Sequence, residues 1–376
     1  MKSGKQFVLV FLIVAIVALS ILPAVNIFTD FSRVFNKDYD YHYMDNRENL
    51  GYLKVAYLLE HKDEFSCLVF GSSRVRVGFD TAILEKYLGG SWYKMEYPAG
   101  LAYHHFSNLY ALIENGFVPS QVLLTISDFD MWSNNSERNV ISQYNGRLYP
   151  VGFFEMVDFY RFYLFKVPRK SEIDILRGNL TLKKSNRIVR ENGGMGIPEK
   201  ENAKKHREKL LKMAPYQKEF ANIKYDYSEA IKYIKLIKNL CNRYNIKLYV
   251  AILPSTPKTL IARNHNSINS FKRELVNIVD FYDFNGIYEI TKNLSNWLEM
   301  SHFRTTIGNA MVRAISVNSM EVGNFGTLVT ESNIEHHLNL VDSGIRKNLP
   351  KLLEDDENIY ISNSLLPFRS GSGQDN

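Results

Sequence analysis

Three residues of this chain have the types and spacing for acyl chemistry: Ser73, Glu299 and His302. Ser73 lies in Cys67-Leu68-Val69-Phe70-Gly71-Ser72-Ser73-Arg74-Val75. The apolar run predicts a buried strand of the parallel-sheet kind, stopped by a glycine and two hydroxyl residues. Phe79, Ile83, Leu84 and Leu88 then fit a helix face. A small nucleophile between strand and helix lies at the carboxyl end of a sheet, where open α/β sheets take their ligands. Far downstream, Glu299-Met300-Ser301-His302-Phe303 offers a base and a carboxylate at i and i+3. A serine hydroxyl is a weak nucleophile until an imidazole takes its proton, and a carboxylate on the other ring nitrogen fixes the tautomer and stabilises the imidazolium. Acid and histidine on one loop can be adjacent without help from distant segments. The plainer alternatives are a serine that only caps a helix and a histidine that only opens one.

Several elements must bring these two stretches together. A helix to about Tyr87 should close at Gly89-Gly90, followed by a short strand over Ser91–Glu96 and a turn at Tyr97-Pro98-Ala99-Gly100. A helix over His104–Asn115 ends at Gly116, and Val122–Ile126 forms the next strand. This rhythm predicts a parallel sheet with helices on both faces. Residues 133–225 break it, with the aromatic cluster Phe153, Phe154, Phe159, Tyr160, Phe162 and Tyr163 and a loop carrying Gly193, Gly194 and Gly196. They are expected to form an insertion over or beside the active-site edge. The glycine loop lacks the strand-before, helix-after setting of a dinucleotide site. The pattern resumes with a capping box at Asp226 and Glu229 and a helix through Ala230, Ile234, Ile237, Cys241 and Tyr244. A strand over Ile246–Leu253 is expected to stop at Pro254 and Pro257. Phe271–Val279 should be helical, Asp280–Phe284 a strand, Gly308–Ile315 a helix, and Asn333–Leu349 a helix in a tail that becomes disordered from Arg369. His104, His105, His336 and His337 are expected at the surface.

Residues 7–28 contain no charge and follow Lys2 and Lys5. As a helix they would span about 33 Å, enough for the hydrocarbon core. The apolar run continues past the one marginal cleavage site, Ala18-Leu19-Ser20, so an uncleaved anchor is expected, with a cleaved signal peptide as the alternative. The lysines place the N-terminus in the cytoplasm and the rest of the chain across the membrane, on the periplasmic or extracellular side. The expected organisation is an anchor over 1–28, a stalk and lead-in over 29–64, an α/β domain over 65–345 containing the insertion, and a tail over 346–376.

With 376 residues, 45% apolar and 23% charged, the chain has material for a real core. The net charge of +6 is uneven: residues 161–224 hold 17 Lys and Arg against 7 Asp and Glu. That span suits an anionic polymer or head group, or is simply a solvated basic face. No nucleic-acid-binding signature and no zinc-type spacing occur in the sequence. Cys67 and Cys241 are expected as buried free thiols.

On these motifs the chain resembles the SGNH (GDSL-like) hydrolase superfamily, and within it the membrane-anchored branch found with bacterial surface-polysaccharide and teichoic-acid modification systems. The resemblance covers most of residues 65–345. It implies a three-layer αβα, flavodoxin-like parallel sheet, with Gly71-Ser72-Ser73-Arg74 as the first block and Ser73 as nucleophile. It implies His302 as general base and Glu299 in the place usually held by aspartate. Gly100 matches the second-block glycine, whose N–H would donate to an oxyanion together with the backbone of Ser73. Pro254, Ser301-His302-Phe303 and Gly308 fit the same pattern. The third block departs from it: the strand ends Thr125-Ile126-Ser127-Asp128, without the usual Gly-x-Asn, leaving Ser127 as the alternative donor. Arg74 and Asp128 are candidate substrate-binding residues, with a structural salt bridge as the alternative for Arg74. The resemblance implies an esterase or O-acyltransferase for acyl, above all acetyl, esters of a surface polysaccharide, with no metal or organic cofactor. The alternative is a catalytically inactive relative that binds glycan or assembles with a multi-pass membrane acyltransferase.

Overall fold

The structure, a computed structural model of the chain, describes residues 2–36, 49–97, 100–127, 131, 148–178, 209–210, 212–213, 226–318 and 325–355. Asp128, the Gly193–Gly196 loop, most of the expected insertion and the tail from Arg369 lie outside the described residues. The chain divides into two compact units. One comprises Met1–Lys62, Ser107–Phe117 and Val140–Glu191; the other comprises Asp63–Phe106, Val118–Asn139 and Asn192–Asn376.

In the first unit, α1 (Lys2–Thr29) carries the apolar run, and its stretch Gly4–Thr29 is long and apolar enough to cross a membrane. The Ser20 hydroxyl is satisfied within the helix, donating to Ile16 O at 2.7 Å. α2 (Leu50–Glu60) is buried from Leu50 to Leu58. The expected strand–helix order of the second unit follows as β1 (Cys67–Gly71), α3 (Ser73–Gly78), α4 (Thr81–Leu88), β2 (Trp92–Glu96), α5 (Ala102–Glu114, which runs on into the first unit) and β3 (Gln121–Ile126). The first unit then contributes α6 (Phe153–Leu164) and α7 (Lys170–Leu176). The second unit continues with α8 (Ser228–Arg243), β4 (Lys247–Ile252), α9 (Pro257–Ile261), α10 (His265–Val276), β5 (Phe281–Asp283), α11 (Glu289–Lys292), a 3-10 turn (Leu294–Asn296), α12 (Thr305–Ser316), β6 (Thr327–Val329) and α13 (Ile334–Asp355).

The six strands form one sheet in the order β2-β1-β3-β4-β5-β6. Every pair is parallel except β5 with β6. The antiparallel edge departs from the expected all-parallel sheet, because β6, absent from the sequence-based expectation, returns along β5 after α12. The two-residue period of the strands assigns the faces. Cys67, Val69, Leu123, Ala251 and Tyr282 share a core with Val75 and Phe79, Leu84 of α4 and Ile307, Met311 and Val312 of α12. The alternate residue Phe70 meets His105 of α5 at 5.8 Å, and Asp283 meets Lys272 of α10 and His337 of α13. Helices therefore cover both faces, which explains the near-continuous burial of the strands.

Local chemistry differs from expectation at several points. Pro257 does not stop β4; it opens α9 at its first turn, where the missing N–H costs nothing, behind the N-cap Thr256. Asp226 forms no capping box: the N-cap is Tyr227, and Asp226 Oδ1 accepts from Ser228 N at 3.2 Å and Ser228 Oγ at 2.7 Å. His104, His105 and His337 are buried, contrary to the surface expectation. His337 Nε2 donates to Asp283 Oδ2 at 2.8 Å, beside Lys272 Nζ at 2.6 Å from the same oxygen. Cys67 and Cys241 are buried and free.

Candidate active site

The strand order reverses its winding between β1 and β3, the place where an open sheet leaves a crevice at its carboxyl edge. Ser73 stands at that edge as the first residue of α3. Ser72 before it is extended (φ −83°, ψ −168°) and serves as N-cap, accepting from Arg74 N at 3.4 Å. This break from strand to helix turns the Ser73 side chain off the end of β1. The amide of a first helical residue has no intrahelical acceptor.

The partner loop is a closed turn. Trp297 and Phe303 form an antiparallel bridge, Leu298 N donates to His302 O at 2.8 Å, and Arg304 N donates to Asn296 O at 2.7 Å. Glu299 to His302 are the tip of this small hairpin, anchored by the buried rings of Trp297 and Phe303. The tip then leads straight into α12. Close backbone packing docks this assembly on α3: a Cβ on Gly308 would fall 1.8 Å from Gly78 O, and one on Gly78 would fall 2.1 Å from the Phe303 ring.

As a result, residues 229 positions apart meet, with the Ser73 hydroxyl 2.6 Å from His302 Nε2. His302 Nδ1–H donates to Glu299 Oε1. Ser301, not foreseen in this role, completes the group. Its hydroxyl donates to Glu299 Oε1 at 2.7 Å and lies 2.9 Å from His302 Nδ1, while its amide donates to Glu299 Oε2 at 2.8 Å. Burial pushes the Glu299 carboxyl up, but the hydrogen bond and charge of His302 and the two bonds from Ser301 outweigh it, and the pKa is held at about 2. Glu299 is thus ionised at neutral pH. Both His302 and Glu299 keep about a third of their side chains open to solvent. A serine, a base and an ionised acid in this relay can form and release an acyl ester.

The other expected residues fall as follows. Arg74 is buried beside Ser73. Ser127 is buried immediately after β3, alongside the end of β1, and Asp128 lies outside the described residues. Gly100 packs at the end of β1, where a Cβ would lie 3.1 Å from Gly71 O and 2.8 Å from both His105 Cε1 and Tyr97 Cβ, so only glycine fits. Its N–H, expected to face an oxyanion, instead donates to Tyr97 O at 3.0 Å and closes the turn. His105 behind it, expected at the surface, is buried. Burial first, and the neighbouring His104 second, push its pKa down to about 3, so it is a neutral packing ring. Among the described residues no three His, Cys, Asp or Glu side chains are grouped to hold a metal ion. In comparisons with known proteins, no family model and no curated protein matches the chain.

Proposed function

We propose that this chain is a membrane-anchored serine esterase or O-acyltransferase of the SGNH type, acting on small acyl esters, above all acetyl esters, of a bacterial surface glycan. The observation that carries the reading is the relay from Ser73 Oγ through His302 to Glu299. The strand order, with its winding reversal beside Ser73, supports the SGNH-type fold. The apolar α1 supports tethering at a membrane where an exported glycan would be met.

In this mechanism Ser73 Oγ attacks the acyl carbonyl carbon while its proton passes to His302 Nε2. Glu299, already ionised, stabilises the imidazolium and keeps Nδ1 protonated. Collapse of the tetrahedral intermediate breaks the ester bond, His302 returns the proton to the departing sugar oxygen, and an acyl-Ser73 remains. Water, or a second sugar hydroxyl, then attacks with its proton going to His302, which gives hydrolysis or transfer respectively. The Ser73 amide is the available backbone donor to the oxyanion; each well-placed donor can contribute roughly 3 kcal/mol.

One observation favours a second reading. With the Gly100 N–H spent on Tyr97 O and no third-block asparagine, the oxyanion hole is short of donors. That pattern suits a non-catalytic relative that binds glycan or assembles with a multi-pass acyltransferase. The experiment is fluorophosphonate labelling of the purified full chain alongside p-nitrophenyl acetate turnover. Labelling lost in Ser73→Ala, with turnover also lost in His302→Ala, supports the enzyme; a folded wild-type chain that never labels supports the scaffold.

A further inference from the structure

In the first unit, α6 has one face accounted for and one face bare. Phe159 stacks on Tyr52 at 4.8 Å and the Tyr163 hydroxyl donates to Asn49 Oδ1. Away from that face, Phe153 is 73% exposed, Phe154 85% and Val157 50%, and the apolar surface continues past the helix with Phe165 at 51% and Val167 at 75%. So many large apolar side chains in one patch mark a contact surface.

The position of α6 on α1 says what covers it. The Asn26 side-chain amide donates to Leu164 O at 2.8 Å and to Lys166 O at 2.9 Å, which ties the carboxyl end of α6 to α1. Counted from Phe7, Asn26 lies about 30 Å along the helix axis, the thickness of a hydrocarbon core. The tie therefore falls where α1 would leave the acyl chains. Beside it lies a cavity of about 590 Å³ with Phe162, Phe165 and Val167 as its apolar part and Arg161, Lys166 and Asp158 as its polar part. Between 153 and 170 the sequence has four Lys and Arg against two Asp and Glu. Aromatic residues with cations next to them suit the level of phospholipid head groups.

We propose that α6 and the segment to Lys170 lie in the interface of the bilayer that α1 crosses. Phe153, Phe154, Val157 and Phe165 enter the acyl region, and the exposed guanidinium of Arg161, paired on one side with Asp158, meets phosphates. The proposal rests on α1 spanning the membrane. α1 is then one of two contacts with lipid, and the second fixes how the chain lies against the membrane surface.

The test uses the full chain in vesicles of phosphatidylcholine and phosphatidylglycerol, with an environment-sensitive fluorophore on single cysteines introduced as Phe154→Cys, Ile13→Cys and, at an exposed position of α8, Lys235→Cys. The native thiols are buried. Doxyl-labelled lipid is expected to quench the labels at 154 and 13 several-fold more than the label at 235, and aqueous iodide is expected to quench the label at 235 several-fold more than that at 154. If the label at 13 is quenched by lipid while that at 154 responds to iodide, or to neither quencher because protein covers it, the interfacial placement is overturned. If the label at 13 also escapes lipid quenching, the membrane-spanning reading of α1 fails first and takes the proposal with it.

Discussion

Gly308 and Gly78 stand so close that the Gly78 carbonyl oxygen occupies the space a Gly308 side chain would need. Through this contact α12, and with it His302, is seated on α3, the helix that begins at Ser73. Gly308→Ala cannot be absorbed by turning a flexible side chain, because the obstacle is backbone. Overpacking of this kind costs about 1–3 kcal/mol. The expected outcome is a lower melting temperature together with fluorophosphonate labelling slowed by more than the stability loss explains, since the Ser73–His302 distance opens. Normal labelling in a destabilised Gly308→Ala protein would dissociate the contact from the site.

The low pKa of Glu299 has a pH consequence. A carboxyl depressed from 4.5 to about 2 contributes stability that is present above pH 4.5 and lost as pH falls toward 2. Between pH 5 and 8, the range in which histidine titrates, Glu299 does not change charge. Glu299 is therefore expected to add no ionisation of its own to the turnover profile in that range. Glu299→Gln should lower turnover by roughly 10⁴, the effect of amide substitution at the acid of such a relay. A two-proton acid limb in the wild-type profile would contradict this.

Ser301 braces the acid and does not replace it. Its hydroxyl bond is worth about 0.5–1.5 kcal/mol, so Ser301→Ala should slow turnover by up to about tenfold, far less than Glu299→Gln. Initial-rate kinetics of the two variants side by side check the ranking.

The buried Asp283 supports the opposite face of the sheet. Burial raises its pKa, but Lys272 and His337 outweigh that and hold it well below the ordinary 3.8. Its contribution is fully present above pH 3.8 and is lost as pH falls further. Asp283→Asn leaves the Lys272 ammonium buried without its counter-charge, a loss of about 3–5 kcal/mol. Thermal unfolding at neutral pH should show it, while fluorophosphonate labelling of the chain that remains folded is unchanged.

Ser73, Glu299 and His302 were legible because each sits in a short stretch whose own pattern places it: an apolar strand ending at a glycine, and an i, i+3 pair before a helix. The burial of His105 and His337 was not, because helical periodicity marks a polar residue as facing inward only when its partner is known, and Asp283 lies 54 positions from His337. β6 was missed because three residues are too few to show alternation. The Gly78–Gly308 contact leaves no trace in either local stretch, since each glycine has meaning only in the other's presence. The insertion boundaries, drawn from composition, do not coincide with the two units, because a unit is defined by what it packs against.

The hairpin closed by Trp297 and Phe303 changes how the triad can fail. Three separate side chains would need two independent alignments, but here base and acid travel as one body on a closed turn. What remains to be aligned is the seating of that body on the Ser73 edge. A disturbance that leaves all three side chains intact can switch the site off by shifting that seating, and the rate at which Ser73 is labelled would report the shift.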